Sequence, residues 1–265
     1  MRALFAASLF ALALFFQFSF AQASEPAQKE WTMLVFLNGN NNLDQFGSLN
    51  LNQAETVGST ADINVVVQWA SLKNKDVRRL LVTKDNDRRK VTSPVIENMG
   101  KVDMGDYRNL VEFIKWGVKN FPAKRYFLDI WNHGSGWHDK LRRRGGFGFD
   151  DISSDDLSGN SISTEQLGMA LRQASAEIGQ KIDLYGNDAC LMAMAEVAAE
   201  VAGGVKVFLG SQDLEPGEGW HYGDFLTLWA AKPAASAHEV SQMLVSSYVA
   251  SYSGGSNGRQ NVTLS

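Results

Sequence analysis

Continuous apolar runs alternate along the chain with segments whose apolar residues recur at helical spacing. Short runs bounded by polar residues are typical of strands buried on both faces, whereas apolar residues at intervals of three and four indicate helices. The pattern predicts strands at residues 32–37, 63–69, 125–131, 181–185 and 206–210, and a strand pair at 78–83 and 91–96. It predicts helices at residues 43–57, 110–121, 163–178, 191–202 and 236–252.

This alternation of strands and helices predicts an α/β fold with a mainly parallel sheet and helices on both of its faces. Right-handed crossovers place the carboxyl ends of parallel strands along one edge of the sheet, and functional sites in such folds lie at that edge. Candidate functional residues should therefore follow directly after predicted strands.

The N-terminal region is typical of a secretory signal peptide. Arg2 precedes an almost wholly apolar run at residues 4–20, and residues 21–23 (Ala-Gln-Ala) suit a small-x-small cleavage site. We expect residues 1–23 to be removed and the protein to be exported, either to the periplasm or out of the cell. The alternative is an uncleaved membrane anchor; after cleavage no membrane contact is expected. The mature catalytic domain would comprise residues 24–265.

Composition narrows the class of protein. The 265 residues are 45% hydrophobic and 20% charged, which suits a globular enzyme domain with a full core. The formal net charge of −4 gives no reason to expect nucleic acid or an anionic membrane as a partner. Residues 261–265 are strand-like and no polar tail follows them, which favours a chain that is C-terminally incomplete over a frayed terminus.

Cys190 is the only cysteine of the chain. Exported proteins that keep cysteines usually pair them, and a lone cysteine cannot form an intramolecular disulfide. From this alone the thiol could be buried and inert, bridged to another molecule, or a reactive nucleophile.

Two polar segments follow strands that would share one edge of the sheet. His133 comes just after the strand at residues 125–131, and Cys190 follows the strand that begins at residue 181. If these strands are neighbours, the imidazole can act as the base that a thiol needs at neutral pH. Cys190 precedes a predicted helix, whose positive dipole end would favour the thiolate. Gly134 allows close backbone approach, and the N–H groups of Gly134 and Cys190 could form an oxyanion hole.

Four blocks in this order resemble the clostripain family of cysteine peptidases, which belongs to the caspase-like clan. The blocks are WTMLVFLNGNNNLD at residues 31–44, WNHGSGW at 131–137, DACLMAMAEV at 188–197 and SQDLEPGEGWHY at 211–222. The resemblance implies a caspase-like three-layer α/β/α sandwich with a mainly parallel central sheet.

The resemblance also implies roles for individual residues. Cys190 would be the nucleophile and His133 the base, in a dyad that needs no third carboxylate. Family members cut after Arg or Lys, and Asp188 matches the acidic residue of their specificity pocket, where a carboxylate would pair with the substrate cation. The alternative role for Asp188 is a cap of the following helix. Ser211, Gln212 and Asp213 would line the same pocket.

A basic loop lies between the two catalytic segments. It contains Lys140, Arg142, Arg143 and Arg144, and residues 145–146 after it are both glycine. Because relatives often mature by internal cleavage, we expect self-processing in this loop, which would give a two-chain form instead of a simple monomer. The alternative is an ordinary solvated charged loop.

Metal chemistry is the first competing interpretation. The spacing of His133 and His138 matches no common zinc pattern, so no metal ligands are assigned. The chemistry requires no cofactor, but an acidic run could bind calcium, although it lacks the alternation of an EF-hand loop. This run consists of Asp150, Asp151, Asp155 and Asp156, followed by Gly159-Asn160.

Two other classes of protein, a serine hydrolase and a non-catalytic binding module, fit the sequence less well. Ser135 lies between glycines, but HGSGW is not the G-x-S-x-G turn of a serine hydrolase. A non-catalytic exported binding module on a caspase-like scaffold is the remaining alternative, and inactive relatives would be expected to lose His133 or Cys190. Both are present, so a peptidase acting on peptides or proteins with Arg or Lys before the scissile bond is the favoured interpretation.

Overall fold

The computed structural model describes residues 28–137 and 151–265, and of Asp151 only the backbone. The predicted signal peptide (1–23) and the basic loop residues Lys140, Arg142, Arg143 and Arg144 lie outside these ranges. The strands are β1 (Lys29–Gly39), β2 (Ile63–Ser71), β3 (Asp76–Leu81), β4 (Val95–Gly100), β5 (Ala123–Trp131), β6 (Asp151–Asp155), β7 (Asn160–Ser163), β8 (Ile182–Asp188), β9 (Val205–Leu209), β10 (Ser253–Gly255) and β11 (Gly258–Arg259). The helices are α1 (Asp44–Glu55), α2 (Tyr107–Asn120), α3 (Thr164–Ile178), α4 (Ala195–Val201), α5 (Tyr222–Ala230) and α6 (Ala237–Tyr252).

A seven-stranded sheet in the order β4-β3-β2-β1-β5-β8-β9 forms the centre of the molecule. Strands β1, β2, β5, β8 and β9 pair in parallel. Strand β3 pairs antiparallel with both β2 and β4, so within this sheet β3 alone runs against the other strands. Two small hairpins, β6–β7 and β10–β11, lie outside this sheet. The mainly parallel sheet predicted from the alternation of elements is confirmed.

Side chains of β1 alternate between two hydrophobic cores. Trp31, Met33 and Val35 enter the core beneath α1, α5 and α6. Leu34 and Phe36 enter the core beneath α2, α3 and α4. This period of two is the geometry of a strand covered on both faces, and each large apolar side chain fully buried this way contributes about 1.5–3 kcal/mol. The result is the three-layer α/β/α sandwich that was predicted.

Helices α3 and α6 begin where the sequence places their caps. The hydroxyls of Ser163 and Ser236 accept hydrogen bonds from the third residue of each helix, and the side chains of Gln166 and Glu239 return to the cap backbone. Such reciprocal caps satisfy backbone N–H groups that have no partner inside the helix. No helix of the described ranges combines the length and apolarity needed to cross a membrane.

The helix predicted at residues 191–202 begins only at Ala195. The N–H groups of Leu191 and Ala193 bind the carbonyls of Asp213 and Ser211 instead of starting a helix, and Leu191 has φ 60°. Long-range pairing with the next loop therefore replaces the first helical turn. Although its sequence is rich in apolar residues, only Val197 and Val201 are buried in this helix.

The second strand of the predicted hairpin is displaced to β4. Residues 91–94 are not in the sheet, because a carboxylate oxygen of Glu55 accepts from the N–H groups of Thr92 and Ser93 at 2.8 and 2.7 Å. Helix α5 was not predicted. The strand-like residues 261–265 form no strand, although Ser265 and Gly210 exchange backbone hydrogen bonds of 3.0 and 2.9 Å.

Candidate active site

Strands β5 and β8 are neighbours, and Trp131 pairs with Asp188 at their carboxyl ends. His133 and Cys190 each lie two positions beyond this pair, so parallel pairing brings the imidazole and the thiol to the same edge of the sheet. Both line one cavity of about 150 Å³. The other lining residues are Leu43, Trp131, Asn132, Asp188, Ala189, Glu215, Pro216, Gly217 and Gly219.

The imidazole of His133 is oriented by an amide. Nε2 of His133 lies 2.7 Å from Oδ1 of Asn42. Because an amide oxygen only accepts, Nε2 carries the hydrogen and Nδ1 keeps the lone pair that a base needs. His133 is exposed at the surface, but partial desolvation of its ring lowers the pKa of His133, and the negative charge of Asp156 partly opposes this. The ring is therefore neutral at pH 7.

Buried asparagines hold the loop that carries His133. Nδ2 of Asn132 donates to the carbonyl of Asn38 at 2.6 Å, and its Oδ1 accepts from the N–H of Ser154 at 3.0 Å. Asn38 donates to the Ser154 carbonyl at 2.9 Å. The end of strand β1, the loop after β5 and strand β6 are thus joined by satisfied buried polar groups, which fix the position of the base.

Gly134 packs directly against the backbone of the nucleophile. A Cβ at this position would lie 2.6 Å from the carbonyl oxygen of Cys190 and 2.9 Å from the Cβ of Ala189. Gly134 also forms an isolated antiparallel bridge with Ile152. Only glycine permits this approach, which places the two segments predicted to supply oxyanion N–H groups next to each other.

Cys190 is half-buried against the loop that follows β9. Its Sγ accepts from the N–H of Glu215 at 3.2 Å and lies 3.8 Å from the carbonyl of the same residue. Burial raises the pKa of the Cys190 thiol; the Glu215 N–H opposes this, and the charges of Asp188 and Asp213 add to it. The expectation that a helix dipole favours the thiolate is wrong, because helix α4 begins five residues further on, at Ala195.

Asp188 is buried beneath Cys190, with 4% of its surface exposed. Its carboxylate accepts from the N–H of Trp220 at 3.1 and 3.2 Å and contacts the hydroxyl of Tyr222 at 2.9 Å. A Cβ on Gly219 would lie 2.4 Å from Oδ1 of Asp188, so the loop passes very close to the carboxylate. The alternative role as a cap of helix α4 is wrong, because that helix is capped at Met194.

A second buried acid, Asp129, lies beside Asp188. The hydroxyl of Tyr222 is 2.6 Å from Asp129 and 2.9 Å from Asp188. A hydroxyl donates only one hydrogen, so one of these contacts needs a proton on a carboxyl group. Burial and then the charge of Asp188 raise the pKa of Asp129 well above its ordinary value, which makes Asp129 the protonated partner.

Ser211, Gln212 and Asp213 are not among the described residues that line the cavity. Ser211 is buried, and its hydroxyl lies 2.8 and 3.0 Å from the carbonyl oxygens of Asp213 and Thr263, one of which accepts its hydrogen. Gln212 and Asp213 are exposed. Their substrate-binding role stays a prediction without a supporting contact. The same loop instead brings Glu215 to the cavity.

Two residues of the site were missed by sequence reasoning. Asn42 belongs to the asparagine run after β1, and Glu215 lies inside the block at residues 211–222. A polar residue directly after a buried strand was the available signal for Asn42. No sequence signal marked Glu215, since its contact with Cys190 depends on the path of the loop.

The acidic run was expected to be able to bind calcium. Asp155 has no unused oxygen: Oδ2 accepts from Asn40 and Met104, and Oδ1 accepts from Leu157 and Ser158. Asp150 and the side chain of Asp151 lie outside the described residues, and within those ranges no three His, Cys, Asp or Glu side chains could hold a metal ion. Asp155 therefore does not fit the role of a ligand.

The chain belongs to the clostripain family of cysteine peptidases, because residues 35–265 match the model of that family. The family and the caspase-like fold expected from the four sequence blocks are thereby confirmed. No curated protein sequence matches the chain.

Solved structures with a similar fold include three C11 proteases. Two are structures of secreted enzymes from Bacteroides thetaiotaomicron. One, in complex with an irreversible peptide inhibitor, has 23% sequence identity and a TM-score of 0.69, and the match covers 85% of this chain and 59% of that one. The other, iotapain, has 16% identity and a TM-score of 0.67, and the match covers 86% of this chain and 63% of that one. The third is an inactive zymogen from Parabacteroides distasonis (20%, 0.65, 86% and 60%). This chain therefore spans about three fifths of the length of these proteins.

Proposed function

We propose that this chain is a cysteine endopeptidase that cleaves peptide bonds after Arg or Lys, with Cys190 as nucleophile and His133 as base. The observation that carries the proposal is the shared cavity, which is lined by Cys190, His133 and the buried Asp188. Family membership supports the reaction class.

The pKa directions support a resting dyad that is neutral. The pKa of Cys190 is raised and that of His133 is lowered, so a thiol and an imidazole are the resting forms at pH 7. Nδ1 of His133 would take the thiol proton as sulfur attacks the scissile carbonyl. The backbone N–H groups of Gly134 and Cys190 would hold the oxyanion. The imidazolium would then protonate the leaving amine, and water would hydrolyse the acyl-enzyme.

Asp188 would select a basic side chain on the residue before the scissile bond. Its carboxylate is buried, and among the described residues no Lys or Arg forms an ion pair with it. A buried carboxylate without a cation favours a ligand that supplies one.

We extend the proposal to export, because two structurally similar proteins are described as secreted. We also extend it to self-processing at Lys140, Arg142, Arg143 or Arg144. Calcium binding by the acidic run is also a proposal, but Asp155 does not support it, because both of its carboxylate oxygens already accept hydrogen bonds.

A panel of matched peptides with Arg, Lys, Asp or Asn before the scissile bond tests the proposal. Cleavage of the Arg and Lys peptides, lost in Cys190→Ala and in His133→Ala, is the expected result. The competing function, an exported binding module, would give no cleavage of any peptide and no labelling of Cys190 by a thiol-reactive basic peptide.

A further inference from the structure

The carboxyl group of Glu215 is buried at the wall of the cavity that Cys190 and His133 line, and neither of its oxygens has a hydrogen-bond donor within the described residues. A buried carboxylate that no backbone or neutral side-chain donor satisfies is costly to keep ionised. Asp155, which holds a loop in place, is the contrast: both its oxygens accept two hydrogen bonds. A purely structural role therefore does not account for Glu215.

Other acids surround this carboxyl group. It lies against Asp188 on β8, with Asp129 on β5 and the thiol of Cys190 nearby. Burial first, and then the charge of Asp188, raise the pKa of Glu215 well above its ordinary value. On α6, the hydroxyl of Tyr252 donates to the carbonyl of Gly219 at 2.9 Å, and the buried hydroxyl of Tyr248 has no hydrogen-bond partner within the described residues.

The contact between Glu215 and Asp188 requires a proton. Two carboxylates only accept, so they can form a hydrogen bond with each other only when one of them is protonated. In the described ranges no Lys or Arg pairs with Glu215, Asp188 or Asp129. The negative charge of this pocket is therefore neutralised by protons and not by a Lys or Arg of the described residues.

We infer that Glu215 is a second specificity-determining acid of this pocket: together with Asp188 it binds the cationic side chain of the substrate, and the cation displaces the proton that the two carboxyl groups share. One cation enters and one proton leaves to solvent, so charge is balanced. The inference rests on the proposed cleavage after Arg or Lys. It adds the residue that completes the recognition and makes substrate binding dependent on pH.

Matched peptides with Arg or citrulline before the scissile bond test the role of Glu215, since citrulline keeps the shape of arginine without its charge. In Glu215→Gln, the ratio of kcat/KM for the Arg peptide to kcat/KM for the citrulline peptide is expected to fall about tenfold. This is the effect expected from the loss of one charge-assisted hydrogen bond to the substrate. Glu218→Gln is the matched control, because Glu218 is on the same loop but does not line this cavity. Its preference should equal that of the wild type.

Proton release provides an independent measurement. The Cys190→Ala chain keeps Glu215 and Asp188 and can bind the Arg peptide without cleaving it. Calorimetric titration in buffers of different ionisation enthalpy should show up to about one proton released on binding near neutral pH, and none for the citrulline peptide. In active enzyme, KM for the Arg peptide should rise as the pH falls, because protons compete with the cation for the carboxyl pair.

The outcomes separate this inference from the proposed function. Cleavage of the Arg peptide with an unchanged preference in Glu215→Gln, or binding without proton release, would overturn the role of Glu215 alone. Failure to cleave either peptide, with Cys190 unlabelled, would overturn the proposed function and the inference with it. The proton measurement uses a chain that retains Glu215, so absence of proton release would overturn the inference even if Glu215→Gln does not fold.

Discussion

Nε2 of His133 lies 2.7 Å from Oδ1 of Asn42, and this contact fixes which ring nitrogen can act as a base. Replacing Asn42 with Ala removes the acceptor and allows the other tautomer and other ring orientations. We expect kcat to fall about 10- to 100-fold with KM nearly unchanged, a range typical of partners that orient a histidine. Steady-state kinetics on an Arg peptide measures both constants.

Asn42→Asp is the control for this positioning role. A carboxylate still accepts from Nε2, so activity should be largely retained, but its charge stabilises the imidazolium and raises the pKa of His133. The base must be neutral to act, so the acid limb of the kcat profile should move to higher pH in this variant. An Asn42→Ala enzyme with wild-type kcat and an unchanged pH profile would contradict the role of Asn42.

The raised pKa of Cys190 predicts slow alkylation at neutral pH. Burial and nearby negative charge favour the neutral thiol, so the reactive thiolate forms at higher pH than in an exposed cysteine. The rate of reaction with iodoacetamide should rise with pH and reach its midpoint above about 8.5, the value for a free thiol. An unstructured peptide with one cysteine is the reference, and a midpoint below that of the peptide would refute the prediction.

Patterns along the chain were enough to predict the sheet and the meeting of His133 with Cys190. Buried parallel strands are marked by apolar runs, and the topology then forces residues that follow β5 and β8 to one edge. The environment of Cys190 was not predictable in this way. Burial raises the pKa of Cys190, and the loop that contacts its Sγ comes from 25 residues further along the chain, at Glu215, whose N–H opposes the shift. The late start of α4 has the same origin, since Leu191 binds the Asp213 carbonyl.

Helix α5 shows a second limit of the pattern. Its sequence, YGDFLTLWA, is apolar on nearly every side, and Tyr222, Phe225 and Trp229 are all buried. Leu228, on the exposed side of the helix, is apolar as well. A short helix with apolar residues on both its buried and its exposed side does not reveal its period, so apolar spacing does not separate it from a strand or a loop.

Asp188 should control specificity more than folding. Asp188→Asn keeps the shape of the side chain and its acceptor for Trp220 but removes the negative charge. We expect kcat/KM for Arg and Lys peptides to fall at least 100-fold, equivalent to about 2.7 kcal/mol, with less change for neutral peptides. Urea unfolding monitors stability in parallel. An unchanged preference for basic residues in this variant would place the specificity pocket elsewhere.

Self-processing predicts a difference in mass between active and inactive chains. Intact-mass analysis of the wild type should find two associated chains with a break within residues 140–144, whereas Cys190→Ala should stay whole. Replacing Lys140, Arg142, Arg143 and Arg144 together with Gln should also prevent the break while leaving Cys190 open to labelling. Identical single chains in the wild type and in Cys190→Ala would exclude self-processing.

Gly134→Ala should abolish most activity while leaving the fold in place. The added Cβ would lie 2.6 Å from the carbonyl oxygen of Cys190, so the two segments must move apart by a few tenths of an ångström or more. Small displacements of reacting groups cost about 100-fold in rate, whereas one methyl group of overpacking costs about 1–3 kcal/mol of stability. Measurement of kcat/KM and of urea unfolding separates these two effects.

Gly203→Ala is the matched control for this substitution. Gly203 is exposed, and a Cβ there would meet only the flexible side chain of Arg172, at 3.0 Å. Activity and stability should both stay close to wild type, because a surface arginine can move aside without disturbing the sheet. Equal loss of activity in the two variants would mean that the contact between Gly134 and Cys190 has no special role. Loss in Gly134→Ala alone, with a normal unfolding transition, would tie catalysis to the close packing of these two segments.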